Sequence, residues 1–202
     1  MLFKIKRKDC FDKFPKFPKS NNYREEFFFP KCYKGYTLTL DALSLKGHIK
    51  LLSEELTSLV GLFGYDTLIF LGDAKNPWLW QDNDYKPVKE ALHYLKVNKI
   101  SRTFNGGIKV GKAELPTFLK HLTWLVRCNS ALPDFYFMDE GQNIVGNICK
   151  YANIHLFTVN ELTDKIFSKN IKSTRLESTG ADNCYNKYYK SGAIPGRQTI
   201  IR

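Results

Sequence analysis

The chain is poor in the features that would fix its chemistry from sequence. Its five cysteines (Cys10, Cys32, Cys128, Cys149 and Cys184) are odd in number, widely spaced and without a CxxC pair. That pattern argues against a disulfide framework or a zinc module and fits reduced thiols in a cytoplasmic protein. No run approaches the roughly 20 apolar residues that span a bilayer. The opening MLFKIKRKDC has basic residues but no apolar region or small-residue cleavage site behind them, so no secretory signal is expected. GxGxxG, GxxxxGK[ST], GxSxG and HExxH are all missing, which removes the chemistries those motifs carry. The glycines and lysines of FNGGIKVGK have the wrong spacing for a phosphate loop and read as a turn before a strand. Histidines number four (His48, His93, His121 and His155), scattered through helical or strand patterns, where structural roles are expected.

Acidic residues are scarce at the two ends. The net charge is +11; residues 1–35 hold ten Lys/Arg against four Asp/Glu, residues 165–202 eight against two, and residues 36–164 thirteen against fourteen. A near-neutral body with two electropositive ends suits an anionic partner, either nucleic acid or an acidic protein. The plainer reading is that the lysines keep the termini soluble.

With 43% hydrophobic and 14% aromatic residues, what is present is the composition of a folded domain. YTLTL (36–40), TLIFLGD (67–73), GGIKVG (106–111), DFYFM (134–138) and IHLFTV (154–159) read as strands. Between them, Leu45 to Phe63, Val88 to Leu95 and Leu115 to Val126 carry apolar residues at helical spacing, with Asp84 as a cap and Gly64 as a stop. Ile144, Val145, Ile148 and Cys149 suggest a further helix. The capping-box spacing of Thr158 and Glu161 opens a last one over Leu162, Ile166 and Phe167. Alternating strands and helices predict an α/β fold with a mostly parallel central sheet and helices on both faces. That core spans 36–168, with a basic aromatic N-terminal arm (1–35) and a basic C-terminal segment (169–202).

In a parallel sheet ligands gather beyond the carboxyl ends of the strands. Asp73 follows one strand and Asp139 and Glu140 another, so the three are the candidate catalytic residues. Asp73 and Asp139 are the candidate ligands of Mg²⁺ or Mn²⁺, whose hard oxygen preference suits carboxylates. Phosphodiester hydrolysis is the reaction that would fit. The alternative is that both aspartates cap turns. Over about eight residues, IFLGDAKN (69–76) resembles the opening strand of the PIN-like and NYN ribonuclease families, in which an Asp and then an Asn three residues later follow an apolar strand. That resemblance implies the same edge-of-sheet metal site, for which Asp139 and Glu140 would supply further acidic positions.

In CFDKFPKFPKSNN, Phe11, Phe14 and Phe17 recur every third residue, with Lys13, Lys16 and Lys19 each two residues later. Pro15 and Pro18 favour polyproline II, which also repeats every three residues, so the rings share one edge and the cations another. The rings would lie on an apolar groove of this domain or of a partner. Trp78 and Trp80 are candidate stacking residues, or else a lid on the core. With Lys4, Lys6, Arg7, Lys8, Lys187, Lys190 and Arg197 they complete the expected nucleic-acid contacts. Two functional readings follow: a nucleic-acid-binding protein with metal-dependent nuclease activity as its catalytic version, or a non-catalytic cytosolic protein that neutralises an acidic partner, such as a toxin immunity protein. Cys184 is the one thiol in a polar setting, but it has no base adjacent in sequence.

Overall fold

Ser44 starts the longest helix. Its hydroxyl accepts a hydrogen bond from the Gly47 amide at 3.1 Å, satisfying one of the donors that every helix start leaves open. Helix α2 (Leu45–Leu62) then turns Ile49, Leu52, Leu56, Leu59 and Val60 inward, and Gly64, at φ +79°, ends it in the left-handed conformation that glycine adopts without strain. The computed structural model in which this is seen describes residues 2–21, 26–72, 76–79, 83–129, 135–180, 183–189 and 194–198.

The expected strands are present as β4 (Lys34–Thr39), β5 (Thr67–Leu71), β6 (Gly107–Gly111), β7 (Tyr136–Asp139) and β9 (Ile154–Thr158). The expected helices include α3 (Lys86–Val97) and α4 (Leu115–Cys128). Helix α5 (Glu161–Asn170) also forms, but its cap is Asn160, whose side chain accepts from the Thr163 amide at 2.9 Å. Asp84 does not cap α3; it pairs with Lys89 at 2.6 Å.

The sheet itself corrects the expectation. With β1 (Leu2–Ile5), β8 (Ile144–Ile148) and β10 (Glu177–Ser178), every strand pairing of this sheet is antiparallel, in the order β1-β6-β5-β7-β8-β9-β4-β10, so the mostly parallel sheet predicted from the alternation of elements is wrong. The cause is local. Ile144–Ile148, expected to be helical, is strand β8, and a tight turn at Glu140–Asn143 folds it back on β7. Without a crossover helix the neighbour of β7 can only run antiparallel, and β8 to β9 repeats the reversal. Gly146 sits in mid-strand because the Phe137 ring lies over it: a Cβ there would come within 2.4 Å of the ring.

The termini expected to be arms supply the two edges of the sheet. β1 (Leu2–Ile5) pairs with β6, and β10 (Glu177–Ser178) pairs with β4. Along β5, Leu68 and Phe70 face the helices, whereas Ile69 and Leu71 face the other way. The first side builds the main core with α2, α3 and α4. Cys10 of α1 (Arg7–Lys13), Phe14 and Phe17 cover the second side, on Ile69, Leu71, Met138 and Val145. The period-three phenylalanines therefore pack on their own domain, and a short ribbon of β2 (Lys19–Asn21) and β3 (Glu26–Phe28) follows them. Among the described residues no helix is long and apolar enough to cross a membrane.

Candidate anion-binding cleft

Helix α4 packs against both α2 and α3, and where the starts of α2 and α3 approach its middle they leave an open cleft of about 530 Å³. Its lining includes Lys46 and Lys50 from the first turns of α2, Lys86 from the first residue of α3, and Lys120, His121 and Trp124 from α4. Glu90 is the one carboxylate in it. A shallower depression continues along α2 and α4, sharing Lys50 and Lys120 and adding Glu54. Lys50 lies 3.9 Å from Glu54, a loose exposed pair; among the described residues Lys46, Lys86 and Lys120 make no ion pair. Two helix starts add the positive ends of their dipoles to the same space.

His121 closes the floor. Its ring stacks on Tyr94 at 4.6 Å, and Tyr94 is held in turn by a 2.6 Å hydrogen bond to Glu114. Only 9% exposed, His121 has no hydrogen-bond partner at Nδ1. Burial, followed by the nearby Lys120 charge, pushes its pKa down to about 4, so the imidazole is neutral at pH 7. The unfolded chain then binds a proton near pH 6.5 that the folded one refuses until about pH 4. The stability this represents, on the order of 3 kcal/mol, is present above pH 6.5 and is lost as pH falls through that window. The expected result is a melting temperature that drops between pH 6.5 and 4 more steeply in the wild type than in His121→Phe, which keeps the stacking and removes the titration.

Among the described residues, those singled out from sequence are dispersed. Asp139 lies opposite Leu68 on β5, while the carboxyl end of β5, at Leu71, lies opposite Tyr136 at the far end of β7. An antiparallel register thus separates strand tips that a parallel sheet would bring together. The Asp139 carboxylate is 1% exposed and accepts from the amides of Gly141, Asn143 and Ile144 and from the Asn143 side chain, which makes it the organiser of the β7–β8 turn. Glu140 accepts from Thr67 at 2.5 Å and pairs with Lys109 at 2.7 Å. Asp73, Trp80 and Lys190 fall outside the described residues.

Trp78 is in the core, 1% exposed, stacked on Phe135 with Nε1 donating to the Gly106 carbonyl at 2.8 Å. Arg7 donates to the carbonyls of Gly72 and Asn105, Lys4 to that of Lys99, and Lys16 to that of Gln142. Lys13 and Lys19 lie over the rings of Phe14 and Phe11. Lys187 is paired with Asp41, and Arg197 donates to the carbonyls of Val126 and Arg127. Lys6 and Lys8 are exposed at α1, on the opposite side of the sheet from the cleft. The cleft lysines escaped notice because they sit in the charge-balanced middle of the chain; spacing could have found them, since Lys46 and Lys50 are one helical turn apart. Comparison with protein-family models, with curated proteins and with solved structures gave no match.

Proposed function

We propose that this protein is a cytosolic binding module for single-stranded nucleic acid, which it holds in the cleft between α2, α3 and α4. The observation that carries the reading is the convergence of Lys46, Lys50, Lys86 and Lys120 on one opening lined also by Trp124 and His121. Single strands are gripped by cations along the backbone, and here the lysines carry that grip, since the Trp124 and His121 rings are only 8% and 9% exposed. The cleft's volume lies within the usual range of ligand sites, and its continuation along α4 gives a strand a path in and out. Among the described residues, three of the four lysines have no carboxylate to release before they meet a phosphate. No cleavage step is proposed: both Asp139 oxygens already accept hydrogen bonds within the fold, and Glu140 is tied through Oε1 to Thr67 and Lys109.

Fluorescence anisotropy with a labelled single-stranded oligonucleotide tests this. If each of the four lysines meets one phosphate, log K should fall against log salt with a slope of about −3, at roughly 0.7 per phosphate. Charge reversal at Lys46, Lys86 and Lys120 together should abolish binding, whereas reversal at Lys6 and Lys8 should leave it intact. Binding that survives the triple reversal rules the cleft out. A chain that binds acidic proteins but no oligonucleotide favours the neutralising role instead.

A further inference from the structure

Strand β8 ends at Ile148, and a turn through Cys149–Asn153 leads into β9. In that turn the Tyr151 amide donates to the Cys149 sulfur at 3.4 Å. His155 follows on β9, with Nδ1 held 3.3 Å from the hydroxyl of Thr37, itself fully buried. The segment 183–189 lies across the turn and delivers Cys184. Asn153 fixes it there, donating to the Tyr185 carbonyl at 3.1 Å and to the Cys184 sulfur at 3.5 Å. The two sulfurs are 3.4 Å apart, and with a ring nitrogen of His155 all three ligand atoms lie within 4.8 Å of one another. The buried Arg127 guanidinium, whose Nε and Nη2 have no hydrogen-bond partner among the described residues, is near enough to Cys149 to interact with its charge.

We propose that Cys149, His155 and Cys184 bind a zinc(II) ion through two thiolates and one imidazole nitrogen, leaving the fourth tetrahedral position to water. Zinc–sulfur bonds of about 2.3 Å at a tetrahedral angle place two sulfurs about 3.8 Å apart, so the pair needs to open by only a few tenths of an ångström. A disulfide, at about 2.0 Å between sulfurs, would need a larger movement in the opposite sense. Amide donors aimed at the sulfurs and a hydroxyl orienting the imidazole are the supports that thiolate–imidazole sites use. The set S₂N favours zinc over the hard cations. Proton balance is simple. Each cysteine that binds as a thiolate gives up its proton to solvent, so affinity rises with pH. Loading would clamp the 183–189 segment, whose Tyr188 ring packs against that of His48 at 5.2 Å, tilted by 60°, onto the body.

The test is titration of the metal-free, fully reduced full chain with cobalt(II), then zinc(II). The expected result is one equivalent bound, with a thiolate-to-cobalt charge-transfer band and tetrahedral visible bands that zinc abolishes, and a melting temperature that rises on zinc loading. Cys184→Ser should lose at least a hundredfold in affinity and His155→Gln at least tenfold, each with an unchanged far-ultraviolet spectrum, while Cys32→Ser changes nothing. Absence of the charge-transfer band, a band that persists unaltered in both ligand variants, or recovery of a Cys149–Cys184 disulfide with no cobalt uptake after reduction overturns the proposal.

Discussion

Truncating Phe14 and Phe17 together is expected to leave most of the protein unfolded at room temperature. Both rings are at most 1% exposed and meet edge to face at 6.3 Å over Ile69, Leu71, Met138 and Val145. A buried Phe→Ala change costs about 3–5 kcal/mol, and a domain of ordinary stability holds only about 5–15 kcal/mol in all. Each single variant should therefore lower the urea midpoint sharply. The double should fall short of the sum, because the two rings touch and share a cavity. The effect is large because this short segment is the principal cover of the sheet's second face. Removing it strips a whole layer of contacts, where a side chain lost from a redundant helix face would leave neighbours to close in. A midpoint shifted only slightly in the double variant would mean that the face is covered in some other way.

Asp139→Ala is the second. Three backbone amides and one side-chain amide point at a carboxylate that the substitution removes, inside a turn where the aspartate is 1% exposed. Each buried donor left unsatisfied costs about 1–3 kcal/mol, and solvent entering the turn will recover part of it, so a loss of about 4 kcal/mol is expected by chemical denaturation. Asp139→Asn should be nearly as damaging, since its amide group would present hydrogens where acceptors are needed. Oligonucleotide affinity, measured on the fraction that remains folded, should be unchanged. Loss of affinity without loss of stability would return Asp139 to the binding surface.

Which parts of this fold were legible follows from how each segment is buried. β5 and β9 read as strands from their apolar runs, and α2 and α4 from spacing, because burial on one face leaves a periodic trace. β8 left no such trace. Ile144 and Ile148 face the main core and Val145 the second, so the strand is apolar on both sides, and Ile144, Val145, Ile148 and Cys149 match one helical face by coincidence. Misreading that one segment turned a hairpin into a crossover, and the helices between β5, β6 and β7 were read as parallel crossovers although those strands pair antiparallel. The candidate metal edge at Asp73 and Asp139 was read from the carboxyl ends of a parallel sheet, and Asp73 lies outside the described residues. Cys184 lacked an adjacent base in sequence because its neighbours, Cys149 and His155, reach it only through the fold. The terminal lysines were conspicuous as a block, yet several of them hold the chain's own carbonyls and rings.

The outer strands have a bearing on biogenesis. Leu2 sits opposite Val110, so β1 waits more than a hundred residues of synthesis for its mate. The far edge is completed only when Glu177 reaches Thr39. Pairings so distant in sequence place the loop-closure penalty early and the reward late, which makes for slow maturation. Until β6 emerges, the nascent chain carries Phe14 and Phe17 without the surface they belong on, an opening for chaperones that the finished molecule no longer offers.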